Sequence, residues 1–168
     1  ADGPQWHMSI PYTEHNDVWV NLSNDFQQLP DGRLLLSTED GGMRHAAILP
    51  RGGKGEAVAV TPEDEVLGAI EAVSSDGKTL YYSGYADTVL ERHLYTIPTD
   101  RPAHERAERI TEAGKSWDVT VSPDGQSFVG TSSSPSQPPQ TGLYRIDGTL
   151  IGWIEENALN SDHPYAPY

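Results

Sequence analysis

An Asp-Gly pair set between two short apolar strand patterns occurs three times in this chain. Residues 29–37 read Leu-Pro-Asp-Gly-Arg-Leu-Leu-Leu-Ser, residues 74–82 read Ser-Ser-Asp-Gly-Lys-Thr-Leu-Tyr-Tyr, and residues 122–130 read Ser-Pro-Asp-Gly-Gln-Ser-Phe-Val-Gly. Asp-Gly flanked by alternating apolar residues is the strongest short-range signal for a β-hairpin. The pairs Asp31-Gly32, Asp76-Gly77 and Asp124-Gly125 follow one another at 45 and 48 residues. A period of about 40–50 residues with one such hairpin per unit marks a β-propeller blade. Propellers close with about 4–8 blades, and three cannot close a ring. The expected fold class is therefore all-β: a partial β-propeller of three four-stranded antiparallel blades. Such a chain is expected to be a piece of something larger, or to complete itself with a partner.

Alternation and turn residues predict four strands per unit. The first unit, about 18–61, has strands at 26–29, 33–38, 45–49 and 57–60, led in by a strand pattern at 17–22. The second, about 66–111, has them at 68–74, 79–85, 92–98 and 107–110. The third, about 117–155, has them at 118–122, 127–132, 141–146 and 150–154, the last two joined by Asp147-Gly148. Residues 1–17 read as an irregular lead-in and 157–168 as an exit linker. The third strands match one another: Arg44-His45-Ala46-Ala47-Ile48, Arg92-His93-Leu94-Tyr95-Thr96-Ile97, and Gly142-Leu143-Tyr144-Arg145-Ile146. Residues 135–139 (Pro-Ser-Gln-Pro-Pro) are expected in an exposed loop, because proline cannot donate to a sheet ladder.

Composition excludes several functions. Acidic residues outnumber basic ones 25 to 11, a net charge of −14. That argues against nucleic acid and anionic membrane surfaces as partners. The absence of cysteine excludes disulfides, thiolate nucleophiles and cysteine-based metal centres. A Cys-free chain fits the cytoplasm or a bacterial periplasm and decides between neither. No apolar run approaches the roughly 18 residues of a membrane span. The first residues carry no secretory leader pattern and do not begin with Met, which suits an internal segment of a longer chain.

Candidate chemistry is sparse. A nucleophile elbow needs Gly-x-Ser-x-Gly, so that the serine sits on a strained strand-to-helix turn, and that motif does not occur. Ser83 in Tyr82-Ser83-Gly84 comes nearest, but it lies on a blade strand. The histidines His7, His15, His45, His93, His104 and His163 lack metal-ligand spacing. His45 and His93 share a third-strand position, which suits packing. Trp117 and Trp153 are expected to pack between blades. Glu155-Glu156 reads as solvated charge. Asn21-Leu22-Ser23 has the form of a glycosylation sequon but is read inside a strand, and no glycan is expected. No catalytic, cofactor or metal residue is assigned, and Asp31, Gly32, Asp76, Gly77, Asp124 and Gly125 are structural.

One known family shares several of these stretches in order and spacing. Glu71-Ala72-Val73-Ser74-Ser75-Asp76-Gly77-Lys78-Thr79-Leu80-Tyr81-Tyr82-Ser83, followed by Glu91-Arg92-His93-Leu94-Tyr95, resembles the penultimate propeller blade of the dipeptidyl peptidase IV family. Asp40-Gly41-Gly42-Met43-Arg44-His45 resembles a turn of the blade before it. Ile154-Glu155-Glu156-Asn157 resembles the end of the last blade, and Trp19-Val20-Asn21-Leu22 the lead-in strand of bacterial members. The resemblance implies the last three blades of an eight-bladed propeller that gates substrate access in a prolyl oligopeptidase-type serine peptidase. Such an enzyme removes Xaa-Pro or Xaa-Ala dipeptides from peptide N-termini. It implies a hydrolase domain of the parent chain as partner, peptide substrates only in the full enzyme, and no activity in these residues alone.

The rival reading is a TolB-like or WD40-like propeller that serves as a protein-binding scaffold. A Gly-x-Ser-x-Gly motif in the downstream coding sequence would separate the two. Three blades would also leave two apolar faces bare. These are expected near Phe26, Leu34, Leu36 and Ile48 on the first blade, and near Val119, Val121, Phe128, Leu143 and Trp153 on the last. A homodimer or higher closed oligomer through the end blades is the expected remedy.

Overall fold

Each hairpin is set by the turn chemistry of its Asp-Gly pair. In the second, Asp76 Oδ1 accepts the Ser74 hydroxyl at 2.7 Å and the Lys78 N–H at 3.1 Å. In the third, Asp124 Oδ1 accepts the Ser122 hydroxyl at 2.6 Å and the Gln126 N–H at 3.1 Å. In the first, Asp31 accepts the Arg33 N–H at 3.0 Å and its guanidinium at 2.6 Å. These bonds hold all three carboxyls below the usual aspartate range. The glycines that follow sit at φ of +86°, +74° and +67°, where a Cβ is strained. A Cβ on Gly77 would also come within 2.8 Å of the Pro30 ring, so one turn nests against the next.

The computed structural model describes residues 8–62, 64–100, 106–158 and 162. Pro4, His7, His104, His163 and most of the expected exit linker lie outside the described residues. Twelve strands run in chain order: β1 (Phe26–Gln28), β2 (Leu34–Thr38), β3 (His45–Leu49), β4 (Val58–Ala59), β5 (Val66–Val73), β6 (Thr79–Tyr85), β7 (His93–Pro98), β8 (Glu108–Arg109), β9 (Ser116–Val121), β10 (Ser127–Ser134), β11 (Gln137–Arg145) and β12 (Leu150–Glu155). They form three four-stranded antiparallel sheets, each in simple sequential order. Among the described residues the single helical turn is a 3-10 turn at Arg51–Gly53.

The sheets stack face to face. Leu35, Ala46 and Ile48 of the first pack on Leu67, Val73, Leu80, Tyr82, Tyr95 and Ile97 of the second. On the far side of the second sheet, Ala72 and Leu94 pack on Trp117, Val119, Val121, Phe128 and Tyr144 of the third. The middle sheet is thus buried on both faces, and β6 reads Leu-Tyr-Tyr-Ser because both of its faces need bulk. β5 touches β9 and β3, whereas the outer strands β4, β8 and β12 make no comparable contact with one another. The second and third sheets therefore each meet the sheet before them through their own first strand, β5 or β9.

The structure corrects several expectations. Residues 17–22 form no strand: Asn16 Oδ1 accepts the N–H groups of Val18 and Trp19, and no strand pairs with them. Pro138 and Pro139 lie inside β11, not in a loop. They fit because β12 first pairs at Thr141, so the proline stretch outruns its neighbour and needs no ladder donor on that side. Ile48, Val119, Val121 and Phe128 belong to the inter-sheet cores rather than to bare outer faces. Leu36 is also covered: the lead-in brings Tyr12 onto the outer face of the first sheet. Thr38 Oγ1 donates to Glu14 at 3.0 Å, so the Tyr12 hydroxyl, 2.7 Å away, donates to Thr38. Trp117 packs between sheets, but Trp153 is 41% exposed and makes a near-perpendicular ring contact with Tyr144 of its own sheet, centroids 6.5 Å apart.

Leu80 is fully buried between the first two sheets, whereas Leu150 lies on the open outer strand. Leu80→Ala should cost about 2–5 kcal/mol in urea denaturation and Leu150→Ala less than about 1 kcal/mol.

Candidate functional site: arginine seams between the sheets

The chemistry-bearing groups of this chain gather where one sheet hands over to the next. Arg44 and Arg92 each stand just before a third strand, and each joins its sheet to its successor through backbone and side chain alike. The carbonyl of Arg44 accepts the Leu67 N–H of β5 at 2.9 Å, and that of Arg92 accepts the Trp117 N–H of β9 at 2.8 Å. Two threonines close the same joints: Thr61 Oγ1 accepts the Ala46 N–H at 2.8 Å, and Thr111 Oγ1 the Leu94 N–H at 3.1 Å.

The guanidinium groups repeat the pattern. Arg44 reaches Ser37 Oγ at 3.3 Å, Asp25 at 3.6 Å and the Gly68 carbonyl of the second sheet at 3.4 Å. Arg92 reaches Ser83 Oγ at 2.6 Å, Glu71 at 3.7 Å and Asp118 of the third sheet at 3.3 Å. Glu71 gets there through a β-bulge: the register of β5 against β6 slips between Ile70 and Ala72, and the extra residue is re-aimed. Burial pushes the Glu71 carboxyl up from the ordinary range, opposed by the Ser83 hydrogen bond and the Arg92 charge. The packing is close enough that Arg92 Nε is buried without a hydrogen-bond partner. A Cβ on Gly68 would approach it to 3.3 Å.

The six turn residues lie at the opposite end of the strands from these seams and are not brought together with them. Ser83 is fully buried and bonded to Arg92, which is the setting of a structural hydroxyl, not of a nucleophile that a substrate can reach. Glu155 and Glu156 are exposed. Among the described residues no group of three or more potential metal ligands occurs. The sequence displays the Arg-His repeat openly but hides its partners. Asp25 and Asp118 each stand six residues before the Asp of their turn, but Glu71 stands five before Asp76, because β5 carries register shifts that β9 lacks. In the third sheet Gln140 stands opposite Ser132, as His93 stands opposite Gly84. Pro139 therefore takes the arginine's place.

A family model described as the dipeptidyl peptidase IV N-terminal region matches residues 3–139. The chain belongs to that family. Human dipeptidyl peptidase 8 is 26% identical, with 82% of this chain and 18% of that protein covered. The mouse protein of the same name is also 26% identical, with 82% and 19% covered. The crystal structure of Porphyromonas gingivalis dipeptidyl peptidase 4 superposes with a TM-score of 0.66 at 17% identity, covering 80% of this chain and 18% of that one. The chain therefore spans less than a fifth of the length of these relatives. The three stacked sheets are part of a dipeptidyl peptidase IV N-terminal propeller.

Removing Arg92 leaves Glu71 buried beside Ser83 without its counter-charge. Arg92→Ala should cost roughly 1–3 kcal/mol at pH 7. The folded-state pKa of Glu71 lies above its ordinary value of 4.5 and rises further without the arginine. The folded state then keeps a proton that the unfolded chain has released, so lowering the pH relieves the cost. The urea-midpoint gap between variant and wild type should therefore narrow from pH 7 to pH 5, and a gap that stays constant contradicts this.

Proposed function

We propose that this chain supplies the last three blades of the propeller of a dipeptidyl peptidase IV-like serine peptidase. Its task is to wall the chamber above the active site, so that only slender peptide N-termini reach the catalytic groups. The reaction would be removal of Xaa-Pro or Xaa-Ala dipeptides, and the nucleophile, base and acid would belong to the hydrolase domain of the parent chain.

The observation that carries this reading is the pair of arginine seams. A wall that excludes folded polypeptide must not part between its staves. Here each stave is fixed to the next by an apolar core, a backbone hydrogen bond and a guanidinium that spans the joint. The family match and the dipeptidyl peptidase names of the relatives support the parent activity. The residues at hand contribute rigidity and exclusion, and their buried Ser83 contributes no attack on a peptide bond.

The test uses the parent enzyme carrying Arg92→Ala. The kcat/KM for a dipeptide chromogenic substrate should stay within about twofold, because no group that touches it has changed. Cleavage of peptides of about 30 residues or of a small folded protein should rise relative to the chromogen. Equal effects on both substrates would contradict a gating role. A wild-type parent with no dipeptidyl peptidase activity would contradict the peptidase assignment itself and favour a scaffold.

A further inference from the structure

The crossover from the second sheet to the third, residues 111–115, is held at Thr111 by the His93 imidazole and at Gly114 by the carboxylate paired with it. His93 is fully buried at the start of β7. Its Nδ1 lies 2.9 Å from Thr111 Oγ1 and its Nε2 lies 3.1 Å from Glu91 Oε2. The same Glu91 oxygen accepts the Gly114 N–H at 2.9 Å. A carboxylate only accepts, so Nε2 carries a hydrogen. Thr111 Oγ1 already accepts from Leu94, and its own hydrogen is free to point at Nδ1. A neutral ring with its hydrogen on Nε2 satisfies these contacts together.

The first crossover provides an internal comparison. His45 occupies the matching position at the start of β3, but its Nδ1 meets the Met43 carbonyl at 3.0 Å. Thr61 there serves the Ala46 N–H. One crossover carries a histidine–carboxylate clasp and the other carries none.

We propose that the His93–Glu91 pair is an acid-opened latch on the crossover between the second and third blades. A proton taken from solvent at Nδ1 makes the ring a cation and obliges the Thr111 hydroxyl to turn and accept where it had donated. The resulting cation would sit in a closed site against the Tyr95 ring, near-perpendicular to it with ring centroids 6.1 Å apart. Arg109 on β8 opposes the added charge, while Glu91 and Asp87 favour it. Burial outweighs both carboxylates and holds the imidazole below its ordinary value of 6.5. The ring accepts its proton readily only when the crossover lifts and water enters.

The sign follows. The closed state is fully favoured above pH 6.5 and loses ground as pH falls below it, because the open state binds the extra proton. The crossover moves as a unit: Lys115 pairs with Glu112 at 2.9 Å, and the Glu112 carbonyl accepts the Trp117 indole N–H at 3.0 Å. Lifting it loosens the residue whose N–H forms the seam with Arg92.

Amide hydrogen exchange of the full 168-residue chain tests the latch, with Gly114 as reporter and Val60, in the first crossover, as control. After correction for intrinsic rates, opening at Gly114 should be roughly tenfold more frequent at pH 5.5 than at pH 7.5, the limit for one proton and an ordinary histidine. Val60 should stay flat. His93→Gln retains a donor and an acceptor but does not titrate, and should flatten the Gly114 response. His45→Gln should leave that response intact. A flat wild-type Gly114, an equal response at Val60, or a response that survives His93→Gln would each overturn the proposal. If His93→Gln does not fold, the wild-type contrast between the two crossovers decides it.

Discussion

Tyr82 and Tyr95 stack at 5.4 Å in the middle sheet and press onto Leu35, Ala46 and Ile48 of the sheet before it. That apolar contact fixes the spacing and angle at which one sheet follows another, and the rest of the structure depends on it. An isolated four-stranded sheet of this size has too little surface to hide from water. Burying the middle sheet on both faces turns three marginal sheets into one body. The outermost strands need contribute little, and β4 and β8 shrink to two residues each.

Apolar stacking is indifferent to small rotations, and the arginine seams remove that freedom. Each supplies a directional backbone bond and a guanidinium whose partners lie on both sides of the joint. The buried carboxylate Glu71 is costly alone and tolerable only beside Arg92, so the pair specifies an arrangement more than it adds stability. The third sheet carries Pro139 where its predecessors carry arginine, and its outer face shows Val129, Ile151 and Ile154 to solvent. The repeating joint therefore stops at the second sheet. The handover there also differs in its clasp, with Glu91 and His93 in place of the Met43 carbonyl and His45.

Much of this was legible in the sequence. The Asp-Gly turns lie in the chain as local chemistry, with the carboxylate bonded two residues ahead and glycine at positive φ, and they reveal the period without tertiary information. The middle strands of each sheet were legible because Leu80-Tyr81-Tyr82 and Phe128-Val129 have the alternation and bulk of buried β-structure. What stayed hidden depends on contacts distant in sequence. Residues 17–22 alternate like a strand but find no partner. Pro138 and Pro139 look like breakers, yet sit where the neighbouring strand has not begun. Glu71 reaches its arginine only through a bulge, and a one-residue slip flips a side chain to the other face. Ile48, Val119, Val121 and Phe128 showed that a blade has two apolar faces, and the sequence alone does not say which looks inward.

The central claim is that the three sheets form one cooperative stack, because the middle sheet belongs to two cores at once. Urea unfolding at pH 7 tests it directly, with the Trp117 indole resonance reporting the joint between the second and third sheets and far-UV circular dichroism reporting all the strands. One shared core means one transition, so the two probes should give coincident midpoints and slopes. A Trp117 transition that precedes the loss of β-structure would show the third sheet leaving on its own and would contradict the account.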